Sequence, residues 1–433
     1  MKITILVYGS LGDVQPYVAL GAGLKRAGYD VEIAADPYYA SLVAGFGLTL
    51  APVPGSPIEI FESEAAQTVA DSEAGVFKRI SAYGAFNREM KEHIAKNLAG
   101  SWTACRDADV LIFSFNAFGG YHIAEKLGVP AFAVAIAPFT RTRTMPSINF
   151  APRPNLGAAY NILTHSLTER LFFMPPTSKQ INLWRKDSLD LKPLPAKGYM
   201  RQLSLTSEIP ILYSFSPELV PPPSDWPEWA HITGYWFPET DAEWHPPQDL
   251  ADFLAAGPPP VYIGFGSMSS KANGKAPKER LQMIFDALAQ AGERGIVSAG
   301  VDADAVTFPS TVFRAASLPH EWLFQHVSMT VHHGGCGTTA QSVRAGVPMV
   351  LVPFMWDQPF WARRVESAGL APAPIPHKRL NSQTLAQAIR RVLDDHAMRD
   401  RARQFGAKVR EENGVATAVA LIQERLRAKG IAP

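Results

Sequence analysis

Two doubly wound α/β domains facing across a cleft are what this sequence predicts. Three observations point there. Short apolar runs of strand length alternate with helix-length segments in both halves of the chain. The alternation breaks off in a proline-rich stretch past the middle and then restarts. Glycine-rich turns stand where strands give way to helices. Strand, helix, strand at this spacing means parallel βαβ units. A chain of 433 residues fits two such domains of about 200 residues each.

In order along the chain, residues 2–8 form the first apolar run, 9–13 a turn, 16–27 a helix that stops at Gly28, and 30–35 the next strand. The unit recurs as strand 110–114, helix 120–127 with Gly128 as its stop, and strand 131–136. The segment 141–191 breaks the pattern with Met145, Phe150, Tyr160, Leu163, Leu171, Phe172 and Met174. It reads equally as a helical insertion with its own core face and as an apolar wall for a ligand. Pro221–Pro223, Pro246, Pro247 and Pro258–Pro260, set among Trp226, Trp229 and Trp236, form the densest turn composition. This divides the chain into an N-terminal domain at 1–236, a linker at 237–260 and a C-terminal domain at 261–433.

After the linker come strand 261–264, turn 265–270, helix 279–291, strands 295–299 and 312–315, and strand 329–332. Helix 339–345, strand 347–353 and helix 359–368 follow, and residues 382–429 are mostly helical. The last helix is free to pack back on the N-terminal domain.

Composition narrows the function classes. Hydrophobic residues make up 47% and charged residues 19%, so both domains can bury a core. The formal net charge is +1 and no basic run stands out, which argues against a nucleic-acid surface. Two distant cysteines, Cys105 and Cys336, make no disulfide framework, and a reducing cytoplasm is the simpler reading. The opening MKITILVYGSLGD has one lysine and a short apolar run ending in glycine, which fits a buried strand better than a leader. No apolar stretch approaches the roughly 18 residues of a membrane span.

Four motifs carry chemistry. The first is HHGGCGTT at 332–339, between a strand and a helix. Its glycines let several N–H groups approach one ligand, the following helix adds its positive end, and the whole suits a diphosphate. A glycine turn beside a buried histidine reads the same way in sequence. The second is Gly264, Phe265, Gly266 and Ser267, at the end of the domain's first strand, where ligands of open α/β sheets bind. The third is Trp356, Asp357 and Gln358, which places a carboxylate beside an amide, a pair suited to neighbouring sugar hydroxyls. Asp357 also reads as a helix cap before Pro359. The fourth is Gly9, Ser10, Leu11, Gly12 and Asp13. It is not the dinucleotide fingerprint, because Gln15 stands where a third glycine is required. It presents Asp13 at a strand-end crevice, either as a helix cap or as an active carboxylate.

In this order the four motifs resemble the inverting glycosyltransferases of the GT-B fold, which pair two Rossmann-like domains. That family includes plant and animal UDP-glycosyltransferases, fungal sterol glucosyltransferases and bacterial glycopeptide and macrolide enzymes. The sequence is most similar to the sterol and glycopeptide branch. The stretches that carry the resemblance are GSLGDVQPYVALGAGLKRAGYDV at 9–31, VYIGFGSM at 261–268, and LPHEWLFQHVSMTVHHGGCGTTAQSVRAGVPMVLVPFMWDQPFWARR at 318–364. It is weak over 54–102 and 141–203.

The resemblance implies that His333, Gly335, Gly337 and Thr338 hold the donor diphosphate, with Gly266 and Ser267 helping. Leu318 and His320 border the nucleobase, and Trp356, Asp357 and Gln358 bind the sugar. Ser10 and Gly12 sit beside the donor, and Asp13 is the acceptor base. Plant enzymes use a histidine backed by an aspartate for that base, and here no histidine precedes His93. The plant motif has a uracil-stacking tryptophan where this chain has Ser317, which leaves UDP against TDP open. It has a ribose-binding glutamate where this chain has Gln341.

The reaction implied is a single in-line displacement that moves glucose from UDP-glucose to a hydroxyl of a small hydrophobic acceptor, with inversion. A sterol, terpenoid, polyketide or phenol would serve. The fungal sterol enzymes carry further membrane-targeting domains outside these motifs, so sterol is one candidate among several. No Asp-x-Asp cluster is present to hold a cation on the nucleotide sugar, and neither metal nor cofactor is expected. The protein is expected to be cytoplasmic, with peripheral membrane contact allowed. Competing readings are a TDP-deoxysugar transferase, a hydrolysing nucleotide-sugar epimerase, a nicotinamide oxidoreductase and a non-catalytic sugar-nucleotide binder.

Overall fold

The computed structural model describes residues 1–55, 76–150, 156–172, 175–194, 208–238, 244–265, 277–298, 306–315 and 318–431. The first half runs β1 (Lys2–Leu6), α1 (Leu11–Arg26), β2 (Asp30–Ala35), α2 (Ala40–Gly45), β3 (Thr49–Pro52), α3 (Val76–Cys105) and β4 (Val110–Ser114). It continues with α4 (Gly120–Leu127), β5 (Ala131–Ala135), α5 (Ala158–Phe172), α6 (Pro175–Leu189), β6 (Ile211–Tyr213) and β7 (Ala230–Ile232). The second half runs α7 (Gln248–Ala255), β8 (Val261–Gly264), α8 (Pro277–Ala291), β9 (Gly295–Ser298), β10 (Val312–Ala315), α9 (His320–Leu323) and β11 (Met329–His332). It ends with α10 (Cys336–Ala345), β12 (Met349–Leu351), α11 (Gln358–Ser367), α12 (Ser382–Asp394), α13 (His396–Glu411) and α14 (Gly414–Ala428).

Two parallel sheets result. One has seven strands in the order β3-β2-β1-β4-β5-β6-β7, the other five in the order β10-β9-β8-β11-β12. Strands such as β4 (VLIFS) and β5 (AFAVA) are buried at every position, as parallel strands covered by helices on both faces must be. Each sheet reverses its winding beside its first strand: between β1 and β4 in one, between β8 and β11 in the other. Ligands of such sheets bind at these switch points, beyond the carboxyl ends of the strands.

Two helices begin three or more residues earlier than expected. α1 starts at Leu11, inside the expected turn, and carries Pro16 within it. Pro16 has no N–H to give to the Gly12 carbonyl, one turn back. α10 starts at Cys336 rather than residue 339, so the last glycine of the motif lies in its first turn. The segment 237–260 contains α7, whose Leu250 packs with Ile296 and Phe324 of the second half.

The halves are joined by more than the linker. Ala418, Val419, Ile422 and Leu426 of α14 are buried in the N-terminal core with Val18 and Leu24 of α1. The Arg364 Nε and Nη2 donate to the Leu219 carbonyl at 2.9 and 2.6 Å. The Trp361 ring meets Phe215 edge-on at 5.8 Å. One apolar cluster therefore runs from Phe113 and Phe215 of the first half to Trp361 and Val365 of the second.

Candidate active site

The glycine motif builds a bare helix start. β11 delivers His332, Gly334 turns with φ 85°, and Gly335 is the N-cap of α10, with no side chain to meet the first amides. These amides point outward with the positive end of the helix dipole. Gly334 and Gly335 are closely packed, and Gly334 also holds a positive φ. A Cβ on Gly334 would stand 3.2 Å from the Gln358 carbonyl, and one on Gly335 would stand 2.5 Å from His333 Nε2. His333 therefore lies directly over the cradle. Burial holds its pKa down at about 4, against an opposing hydrogen bond with the Gly264 backbone, so the ring is neutral at pH 7. Thr338 is half-buried beside it, and its carbonyl accepts from Ser342 Oγ at 2.9 Å.

The turn at 356–358 packs against this cradle. Trp356 holds φ 58°, a left-handed conformation uncommon outside glycine, and its side chain is 45% exposed. Asp357 Oδ2 accepts from Trp361 Nε1 at 2.8 Å. Burial, with Asp13 nearby as a second cause, raises the Asp357 pKa to about 6. Gln358 differs from the reading of a free amide. Its Oε1 accepts from the Phe354 and Met355 backbone N–H groups at 2.8 and 3.2 Å, so what it can offer a ligand is its NH₂.

Asp13 stands opposite, at the third position of α1. Its Oδ2 accepts from Ser10 N at 2.7 Å and from Ser10 Oγ at 2.8 Å, a reciprocal cap at the helix start. The Ser10 hydroxyl is thereby engaged by the carboxylate. Gly9, at φ 157°, has to be glycine, since a Cβ there would stand 2.4 Å from that of Asp13. Tyr39 fixes the same turn by donating its hydroxyl to the Gly9 carbonyl at 3.1 Å. Burial raises the Asp13 pKa, and the two Ser10 hydrogen bonds oppose it.

The two sides meet. A Cβ built on Gly337 would lie 3.6 Å from Gly12 Cα, and Cys336 Sγ donates to the Ile136 carbonyl at 3.4 Å. Asp13 and Asp357 are close enough for each to act on the thiol of Cys336. Thus Gly12, Asp13, His333, Gly335, Gly337, Thr338, Asp357 and Gln358 are brought together. His320 is built into the wall: Nε2 bonds Tyr262 Oη at 3.0 Å, and the ring stacks on Phe324 at 4.6 Å. Leu318 packs against the same cluster. Gly266, Ser267 and Ser317 lie outside the described residues.

Sequence reasoning missed the surroundings of the Gly9 turn. A small cavity, partly open to solvent, is lined by Tyr8, Gly9, Asp36, Tyr39 and Asn97 among others. His93 Nε2 lies 3.3 Å from Tyr8 Oη at its edge. The position of Tyr8 beside Gly9 was a usable signal; nothing in the sequence tied His93 or Tyr39 to that turn.

By fold, the chain resembles two-domain glycosyltransferases. The kitacinnamycin glycotransferase superposes with a TM-score of 0.70 at 21% identity, covering 98% of each chain. CalG4, the calicheamicin glycosyltransferase, superposes with a TM-score of 0.68 at 18% identity, covering 100% of this chain and 99% of its own. Residues 3–146 match the glycosyltransferase family 28 N-terminal domain, and residues 282–424 match the erythromycin biosynthesis protein CIII-like C-terminal domain. The sterol 3-beta-glucosyltransferase of Candida albicans is 35% identical over 439 residues, 98% of this chain and 28% of the relative. That of Cryptococcus neoformans var. neoformans is 36% identical over 451 residues, 98% of this chain and 27% of the relative. The chain therefore spans less than a third of the length of these curated relatives. Its two halves match glycosyltransferase-type domain families, its fold is that of the GT-B glycosyltransferases, and 98% of its length is similar to these sterol 3-beta-glucosyltransferases.

Proposed function

We propose that this protein is an inverting glucosyltransferase that moves glucose from UDP-glucose to a hydroxyl of a small, sterol-like hydrophobic acceptor. The observation that carries the reading is the meeting of a carboxylate from one domain, Asp13, with an uncapped helix N-terminus and Asp357 from the other.

Each residue has a task in that reaction. The α10 amides and His333 hold the diphosphate. As the bond from the anomeric carbon to the leaving oxygen breaks, negative charge grows there, and these fixed dipoles stabilise it. Asp357 accepts from sugar hydroxyls and Gln358 donates to them. His320 and Leu318 form the wall toward the nucleobase. Asp13 takes the proton as the acceptor oxygen attacks from the opposite face, which inverts the centre. An ordinary aspartate, with a pKa of about 3.9, is a weak base for an alcohol, and burial moves Asp13 in the useful direction. Charge on the leaving group is met without a metal in this scheme, and no cofactor takes part.

The fungal relatives support a sterol-like acceptor. Terpenoids, polyketides and phenols share the same chemistry. No helix among the described residues is long and apolar enough to cross a membrane, so an acceptor held in a bilayer would be reached from its surface. Free thiols at Cys105 and Cys336 suit a reducing cytoplasm.

A TDP-deoxysugar donor is the second reading. It is favoured by the engagement of Gln358 Oε1 with backbone, which leaves fewer acceptors for a fully hydroxylated hexose. Kinetics with UDP-glucose and a panel of TDP-deoxysugars on one sterol acceptor separate the two. UDP-glucose is expected to give the higher kcat/KM by about tenfold or more. A clear preference for a deoxysugar overturns the glucose assignment.

A further inference from the structure

His332 is fully buried and lies just before the residues that face the ligand. Its backbone is pinned on both sides, to Gly264 of β8 and Leu351 of β12. Its Nδ1 accepts the N–H of Gly334 at 3.1 Å, two residues on. An accepting Nδ1 puts the ring proton on Nε2. That Nε2 is buried and has no hydrogen-bond partner among the described residues. A buried donor without a partner costs stability, so the ring's use is to be sought at its other nitrogen. The bond to Gly334 supplies a reason. Gly334 is the pivot of the cradle, held at φ 85° with the Gln358 carbonyl packed against its Cα side. One face of the pivot is closed by that packing; the other is held by His332.

We propose that His332 is a positioning residue for the donor diphosphate: from a rigid strand it fixes the Gly334 peptide, and so aims the amides from Gly335 to Thr338. It would touch neither donor nor acceptor. This rests on the reading of the cradle as the diphosphate site.

The test uses three substitutions and UDP as the probe. Leucine matches the ring's bulk and has no acceptor. Asparagine carries Oδ1 the same number of bonds from Cα as Nδ1, and can accept the N–H two residues on, as in an Asx-turn. Glutamine carries its acceptor one bond further out. His332→Leu is expected to raise the calorimetric Kd for UDP and the donor KM about tenfold, with acceptor KM unchanged and the melting temperature kept, since an orphaned polar atom leaves with the bond. His332→Asn is expected to return the Kd to within about threefold of wild type, and His332→Gln is not. Wild-type affinity in the leucine variant overturns the proposal, as does a fall in donor and acceptor binding together with stability. If the leucine variant does not fold, the other two decide: equal UDP affinity for asparagine and glutamine overturns it. Failure of the wild type to bind UDP is a different result, and sinks the donor-site reading itself.

Discussion

One carboxylate at position 13 has two candidate duties. Oδ2 closes the start of α1 through Ser10, and the same side chain stands where the two halves meet. Substitution separates the duties. Asparagine keeps the shape and can still accept from the Ser10 N–H, but it cannot take a proton from an alcohol. The fold should not suffer. A carboxyl whose pKa is raised above 3.8 by burial binds its proton more tightly folded than unfolded. Its ionised form therefore costs stability at neutral pH, a cost absent below 3.8 and removed by the amide. Asp13→Asn is expected to melt at or slightly above the wild-type temperature at pH 7, bind UDP normally, and lose kcat by about 10²–10⁴-fold. The loss should be smaller on a phenol than on an aliphatic alcohol, because a phenol needs less help to ionise. A near-normal rate on the aliphatic alcohol would leave Asp13 as a cap only, and point the search for the base to His93 and Tyr8 at the neighbouring cavity.

At the scale of elements, the sequence was clearest where burial leaves no choice. β4, β8 and β11 are buried at every position, and their observed limits coincide with the expected ones. It was least clear where a glycine serves a helix start. α1 and α10 both begin inside stretches that read as turns, because Gly9, Gly334 and Gly335 just ahead of them pack closely against Asp13, Gln358 and His333, which no local pattern reveals. The three-residue β6 and β7 were too short to carry a period. Within the site, residue types were legible and their engagement was not: nothing in the motif shows that Gln358 closes its own turn, or that Ser10 serves Asp13. The docking of α14 on α1 depends on the same kind of contact. Gly23 lies under Val415, whose Cγ1 would stand 2.4 Å from an added Cβ. Gly23→Ala is expected to cost about 1–3 kcal/mol through this clash, partly offset by a helix-propensity gain of about 1 kcal/mol. Adding Val415→Ala should restore stability. Denaturant titrations of the single and double variants measure this, and a double variant no more stable than the single would show that the contact does not limit packing.

At the scale of the whole molecule, the proposed donor cradle and the proposed base belong to different halves. The cradle, His320 and the turn at Asp357 all lie on the second sheet and its loops, while Asp13 follows the first strand of the first. In the proposed reaction, nucleotide binding can therefore be complete within one half, whereas the displacement needs both in register. Among the described residues, the Arg364 side-chain hydrogen bonds bear on that register alone. Arg364 projects from α11, a few residues beyond Asp357, and grips the Leu219 carbonyl of the first half with two N–H groups. Methionine preserves much of its stem and removes both donors. Arg364→Met is expected to leave the UDP Kd within about threefold of wild type while kcat falls by about tenfold to a hundredfold, since a misplacement of about 1 Å between reacting groups costs that much. Calorimetry with UDP and steady-state kinetics at saturating donor measure the two quantities on one preparation. Equal loss in both would mean that the donor site draws on the first half directly. Unchanged kcat would mean that the apolar cluster from Phe215 to Trp361 holds the halves in register without the arginine.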